Sequence, residues 1–340
     1  SDHFNIYAFK GQGPQLKVVD DQSTIRKYAL GRFRDLLGAS ARSAAMLGYL
    51  DNTVNRKGVP NENYAREIME LHTLGVHGGY TQHDVKEVAR CFTGWTSDKS
   101  WRRGRFLFDP AAHDDGAKQV LGITILPGGG IHDGERVLDI LASHPETAKH
   151  LATKLCIRFL GDARQETVSH VASAFLKTGG DIHATLRALL TPQALLAAPP
   201  ILKRPYDYAV SALRALNADT DAGIGIQKHL ENMGQALFGW PMPNGYPEEA
   251  RAWVGAMVPR WNFALALAGG SIENTSIDLP AIAKVGNGAR LSNADTLIEF
   301  ALGSPASTPS LARLRAIAGR SLSAAESAAL ILMSPEFQFR

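Results

Sequence analysis

Apolar positions recur at helical spacing along most of this chain. Between Asp21 and Leu37 they fall at Ile25, Tyr28, Ala29, Phe33, Leu36 and Leu37, which predicts a helix ending at Gly38. A short helix over about 41–50 follows, with Ser40 as its cap candidate. Residues 51–60 carry Asn52, Asn55, Gly58 and Pro60 and read as a loop. Two helices come next, joined by the Gly78-Gly79 turn. The first runs from Glu62 to Leu74 and stops at Gly75. The second starts at Thr81, with Asp84 three residues on in the manner of a capping box, and runs to Thr93.

The period changes over residues 104–126. Arg105–Phe108 and Gln119–Ile125 have strand character, separated by the polar turn segment 109–116. One β-hairpin inserted into a helical protein is expected there. Gly128-Gly129-Gly130 reads as a flexible connection. Helical spacing then returns at about 146–160, 164–178, 181–190, 204–216, 224–233, 248–268, 292–302, 308–318 and 322–333. No repeat of solenoid period is present. The expected fold is mainly α: a multi-helix globular array with one small β-hairpin insertion at about 104–126. Residues 1–130 would form one helical region and residues 131–340 a second packed on it, as one continuous globular unit.

Composition narrows the classes. Hydrophobic residues make up 45% and charged residues 20% of 340, which excludes a disordered chain. The net charge of +3 is too small to point to a nucleic-acid partner. No run approaches the ~18 consecutive apolar residues of a membrane span. The start, Ser1-Asp2-His3-Phe4-Asn5, lacks the basic and apolar regions of a signal peptide. Cys91 and Cys156 sit in apolar helical contexts and read as small buried hydrophobes. They allow one disulfide but no disulfide framework and no cysteine zinc site, so cysteine usage does not fix the compartment.

The richest chemistry lies in Asn61–Gly75. On a helical projection from Tyr64, Ile68, Leu71 and Gly75 fall within about 40° and mark the buried face. Glu67 lies inside the apolar arc, between Leu71 and Leu74, and His72 lies on its other flank. The i, i+4 pairs Glu62–Arg66 and Arg66–Glu70 read as a solvated ladder that leaves Glu67 and His72 unexplained. A carboxylate on an apolar face is either paired or pushed toward its neutral acid form, which suits a general acid. The plain alternative is a buried Glu that accepts hydrogen bonds from a cap or an Arg. A second cluster, Phe108–Lys118, packs His113, Asp109, Asp114, Asp115 and Lys118 into one loop. His113 with Asp114 reads as a base and its orienter or as metal ligands, against the plain reading of a polar turn. A third is the Pro-bracketed aromatic loop Phe238–Pro247, containing Trp240 and Tyr246. Exposed aromatics beside polar groups suit stacking on sugar rings or peptides. Trp253 and Trp261 read as helix core.

Several segments together resemble the bacterial DUF1800 family of unknown function. They are Asn61–Val76, Gly79–Val85, Phe92–Trp95, Phe108–Lys118, His144–Ala148, Lys203–Pro205, Tyr208–Arg214, Gly234–Tyr246 and Trp261-Asn262. The resemblance spans about the whole chain. It implies a mainly helical fold, frequent export through a cleaved signal peptide, and association with a second, sulfatase-like family, which suggests extracellular polymers. Members usually carry helices before the stretch resembling Asp2–Tyr7, so this chain is expected to lack an N-terminal segment of its precursor. An exposed core face near Phe4 and Tyr7 would follow.

The resulting expectation is a periplasmic or extracellular hydrolase or lyase acting on a glycan or similar polymer. Glu67 would donate the proton, His113 with Asp114 would form the base side, and Glu70 or His72 would assist. Trp95, Trp240, Tyr246, Lys118 and Asn63 would bind substrate. No cofactor is required. Two alternatives stand beside it: a non-catalytic helical binding or assembly protein docking through the Trp240 loop, and an enzyme holding a divalent metal on Glu67, Glu70, His72 and His113.

Overall fold

The computed structural model describes residues 1–11, 13–98, 104–279, 298–299, 301–302, 312, 316–317 and 322–340. The helices expected at 292–302 and 308–318 lie largely outside the described residues, as does Trp101. The fold is mainly α, with small antiparallel hairpins. Among the described residues, no helix is long and apolar enough to cross a membrane.

The chain forms two compact units, Ser1–Pro199 with Phe238–Tyr246, and Pro200–Leu237 with Pro247–Arg340. In the first unit the helices are α1 (Gly13–Asp20), α2 (Arg26–Tyr28), α3 (Phe33–Ala41), α4 (Ala44–Tyr49), α5 (Asn63–Glu70) and α6 (Gln82–Cys91). Strands β1 (Trp95–Asp98), β2 (Arg105–Phe108), β3 (Lys118–Val120) and β4 (Ile123–Ile125) follow. Then come α7 (Ile131–Ser143), α8 (Pro145–Leu160), α9 (Gln165–Lys177), α10 (Ile182–Leu189) and α11 (Pro192–Leu196). Helix α7 packs on α3 and α6, which draws residues past 130 into the N-terminal core.

Long-range pairing interrupts the first predicted helix. Helix α1 continues through a π-helical turn, Asp21–Ile25, into α2, and the chain then leaves the helix at Ala29–Arg32. There the Phe33 amide donates to Gly180 O at 2.8 Å and the Ile182 amide to Gly31 O at 2.9 Å. Those backbone groups would otherwise serve the helix. Gly38, expected to end it, lies inside α3. Helix α6 carries the expected capping box between Thr81 and Asp84.

The β excursion comprises two hairpins, not one. Strand β2 pairs with β1, in the register Trp95 with Phe108 and Asp98 with Arg105. Strand β3 pairs with β4 across Leu121-Gly122, both at positive φ, the twist that matches a two-residue hairpin. The turn segment 109–116 therefore links two hairpins. Trp95 is fully buried, with its ring 5.1 Å from those of Phe92 and Phe106.

The segment Asp2–Ala8 is covered. Phe4 is 2% exposed and Ile6 1%, and Tyr7 is half-buried, so the expected exposed core face is not found there. Both cysteines are buried and unbridged.

The second unit contains α12 (Pro205–Ala215), β5 (Asp219–Thr220), α13 (Ile224–Asn232), α14 (Met257–Ala268), β6 (Thr275–Ser276), α15 (Ala324–Met333) and α16 (Pro335–Gln338). Strands β5 and β6 form an unexpected short ribbon. Tyr208, Phe263, Leu267, Ile331 and Leu332 lie in its core. Arg260 is fully buried there, donating to Lys203 O at 2.7 Å and Gln338 Oε1 at 3.0 Å. It thereby ties the paired strand-like segments at Ile201–Lys203 and Gln338–Arg340. Trp253 is buried as expected, whereas Trp261 is exposed on α14.

Gly134, inside α7, lies against the Trp95 ring: a Cβ there would sit 2.5 Å from Cζ2. An alanine normally gains about 0.5–1 kcal/mol over glycine in a helix, but overpacking a rigid core costs about 1–3 kcal/mol. Gly134→Ala is therefore expected to lower the urea midpoint despite its better helix propensity.

Candidate functional site

Helix α5 positions the first polar cluster. Asn63, Glu67 and Glu70 stand at i, i+4 and i+7, so they form one stripe along its surface. The opposite face is locked by Tyr64, Ala65, Ile68 and Met69, all buried. The helix closes early, at Glu70, where the Leu71 amide donates to Glu67 O and the Thr73 hydroxyl donates to Ile68 O at 2.6 Å.

Each member of the stripe has a different environment. Asn63 is exposed and donates to Asp51 Oδ2 at 3.4 Å. Asp51 in turn pairs with Lys10 at 3.0 Å. Glu70 accepts from the Tyr80 hydroxyl at 3.2 Å. Glu67 is half-buried, and among the described residues no hydrogen bond or ion pair reaches its carboxylate. Burial raises its pKa, the neighbouring Glu70 raises it further, and Arg66 opposes both. Arg66 itself is held by Glu62 at 3.2 Å and Gln82 at 2.8 Å, so only the first half of the expected ladder forms. Tyr49 and Tyr80 feel the charge of Glu67, and burial pushes each phenol up to about 12.

Tyr49 connects this stripe to the aromatic loop. Its hydroxyl donates to Pro241 O at 2.7 Å. Asn5 Nδ2 donates to Met242 O at 2.7 Å and Trp240 O at 3.0 Å, and the Ala8 amide donates to Phe238 O. Gly245, at φ +75°, lets the Asp2 carbonyl approach to 2.3 Å of where a Cβ would be. The half-exposed Trp240 ring lies 5.1 Å from that of Tyr246, and its Nε1 donates to Asn244 at 2.9 Å. Tyr246 is only 8% exposed, so it backs Trp240 rather than lining a groove itself.

His113, Asp114 and Lys118 lie in a second, closed network. His113 Nδ1 donates to Thr93 O at 2.8 Å, because a carbonyl can only accept. Its Nε2 lies 3.2 Å from Asp133 Oδ2, which also accepts from Lys118 Nζ. Lys118 donates in addition to Asp114 O. His113, Lys118 and Asp133 are each no more than 3% exposed. The Asp114 carboxylate faces elsewhere. Arg90 grips it with Nε at 2.8 Å and Nη2 at 3.1 Å, which holds its pKa down to about 2. His113 and Asp114 are therefore not a base and its orienter, and Lys118 is not open to substrate. The loop's charged groups serve to staple it to the end of α6 and the start of α7. Trp95, fully buried in the core, is likewise removed from the substrate-facing set.

His72 is removed for a third reason. It is 1% exposed and packs with His3 and His150 beneath Phe4, not along the open stripe. Glu67 and Glu70, His72, and His113 thus occupy three separate settings. Among the described residues, no group of three or more His, Cys, Asp and Glu is arranged to hold a metal ion.

The model of the family described as a protein of unknown function, DUF1800, matches residues 1–339. This chain belongs to the DUF1800 family. No curated protein and no solved structure matches it. The segments on which the DUF1800 resemblance rested divide by role. Asn61–Val76 and Gly234–Tyr246 build the open stripe and its aromatic loop, whereas Phe92–Trp95 and Phe108–Lys118 build the closed network. Tyr49, Asp51, Tyr80 and Asp133 were not anticipated. Asp133 had a signal, an acid in the first turn of a helix after a glycine run. Tyr49 had none, since its partner Pro241 is 192 positions away.

Removing one partner from a buried ion pair leaves an uncompensated charge and costs about 3–5 kcal/mol. Lys118→Met is expected to destabilise the fold on that scale, read as a lowered urea midpoint, whereas Asn63→Ala should leave it nearly unchanged.

Proposed function

We propose that this DUF1800 protein is a hydrolase or lyase acting on a carbohydrate polymer in the periplasm or outside the cell, with Glu67 as proton donor and Glu70 as its partner. The reading rests on one observation: Glu67 is half-buried, its pKa is raised, and among the described residues no group is bonded to its carboxylate. A purely structural Glu would be tied to a cap or an arginine. A carboxylic acid that holds its proton to higher pH than usual can protonate a leaving glycosidic oxygen as its bond to carbon breaks. In hydrolysis, Glu70 would orient the attacking water, and Tyr80 would steady Glu70. In elimination, the same donor protonates the leaving oxygen while a base removes the proton beside the sugar carboxyl group. Asn63 offers an amide to sugar hydroxyls, and Trp240 offers a ring face for stacking.

The exposed Pro241 and Met242 favour a second reading, in which the loop docks a partner and no bond is cleaved. A screen against polysaccharides and peptidoglycan separates the two. Released reducing ends without unsaturation indicate hydrolysis, ultraviolet-absorbing unsaturated ends indicate elimination, and binding without new ends supports docking alone.

Glu67→Gln is expected to lower the rate about 10²–10⁴-fold, the usual worth of a positioned acid. Because folding raises the Glu67 pKa, its ionised form opposes folding as the pH rises, so the same variant should keep or raise the thermal midpoint. Activity should fall as the pH rises through the Glu67 pKa, since the donor must hold its proton. Glu70→Gln removes a like charge, so this alkaline limb and the Glu67 carboxyl titration seen by NMR should both move to lower pH. A fully active Glu67→Gln enzyme would overturn the assignment.

A further inference from the structure

Three imidazoles meet in the first unit, with His72 buried and His3 and His150 part-buried. The His3 ring lies 6.0 Å from that of His72 and 6.4 Å from that of His150. His3 comes from the segment Asp2–Ala8, His72 from the turn after α5, and His150 from α8. Lys154, one turn beyond His150, is the charged side chain that bears on all three rings. The remaining ring neighbours of His3 are the apolar Phe4 and Phe33. Among the described residues, no carboxylate bonds to any of the three histidines.

Each ring is set up to stay neutral. His3 Nε2 donates to His72 O at 3.1 Å, and His150 Nε2 donates to Leu71 O at 3.2 Å. Each therefore holds its single proton on Nε2, and a second would go on Nδ1. His150 Nδ1 abuts Gly75, where a Cβ would come within 2.9 Å. The buried His72 Nε2 has no hydrogen-bond partner among the described residues. Burial and the neighbouring Lys154 and His150 hold the His72 pKa down to about 3, and burial with the same lysine lowers those of His3 and His150.

The segment carrying His3 also holds the aromatic loop. Asn5 donates to Trp240 O and Met242 O, the Ala8 amide donates to Phe238 O, and Gly245 packs on the Asp2 carbonyl. Phe4 lies 5.0 Å from the His72 ring, so lifting this segment returns His72 to water.

We propose that His3, His72 and His150 form an acid-sensitive latch, in which proton uptake by the cluster releases the segment Asp2–Ala8 and with it the loop Phe238–Tyr246. The latch stands on its own packing. Only its effect on activity, through Trp240, rests on the catalytic reading above.

Folding linkage sets the size of the effect. A histidine that titrates at its ordinary value when released and at about 3 when latched favours release about thirtyfold at pH 5. His3 and His150 multiply that factor.

The test is hydrogen exchange of the whole chain, corrected for intrinsic rates, at about pH 7.5 and about pH 5. The opening equilibrium of peptides spanning 2–9 and 236–246 should rise at least thirtyfold together at the lower pH, while α6 and α7 stay protected. The double variant His3→Gln/His150→Gln keeps both carbonyl contacts and cannot take up the protons, so its factor should fall. Lys154→Met, at a partly exposed position like those of His3 and His150, weakens the repulsion and should reduce the factor while leaving the buried His72 ring in place. The latch is overturned if the two peptides keep their protection at the lower pH. It is overturned equally if α6 and α7 open in step with them, or if the double variant and Lys154→Met both open as the parent does.

Discussion

The buried carboxylate of Asp133 is the interaction on which the first unit depends. It sits at the start of α7 and accepts from Lys118 beside His113, all within a region closed to water. Stripping a charge of water costs several kcal/mol, so such a group persists only where partners meet it with good geometry. Here the partners come from β3 and from the loop between the hairpins. Thr93 completes the arrangement, accepting from the Asp114 amide and, through its carbonyl, from His113 Nδ1. One polar knot therefore fixes an irregular loop between α6 and α7, and α7 in turn packs on α3 and α6.

The α5 stripe follows the opposite rule. The His113 loop spends its charges on itself: Arg90 on Asp114, Lys118 on Asp133, and Thr93 on both His113 and the Asp114 amide. On α5, Glu67 meets burial and a like-charged neighbour, opposed only by the charge of Arg66, and no bond reaches it among the described residues. Groups left in that state oppose the fold's own stability, and they concentrate where a protein binds or transforms something. Tyr49 carries this contrast outward, because one hydroxyl joins the surroundings of Glu67 to the backbone of the Trp240 loop.

The second unit solves a related problem with a cation. Arg260 is fully buried, and its hydrogen bonds go to neutral acceptors, the Lys203 carbonyl and the Gln338 amide. The Tyr208 ring lies 5.3 Å from its guanidinium and supplies a π face as well. Burial accordingly lowers its pKa, and crowding by Arg340 and Arg260 adds to the burial that holds Lys203 at about 8. The Lys203–Pro205 motif thus acts in the join between the start of this unit and its last residues.

Local pattern alone determined the helical class, the capping box of α6 and the burial of Tyr64 and Ile68 on α5. These follow from spacing within one or two turns, where side-chain direction is fixed by the backbone. Glu67, expected inside the apolar arc, stands instead on the opposite, open stripe because the helix closes at Glu70. The tertiary structure decided which charges were already spent. A His-Asp-Asp loop rich in candidate bases became a staple because Arg90 and Asp133, 24 and 20 positions from their partners, met it in space. The helix expected through Ala29–Arg32 broke because Gly180–Ile182 claimed its backbone groups. Strand β2 took Trp95–Asp98 as partner, and a two-residue turn made its expected partner a hairpin of its own. Burial and partner choice are sums over the whole fold, so a carboxylate's spacing can mark it as unusual, but only the packed molecule fixes whether it is paired.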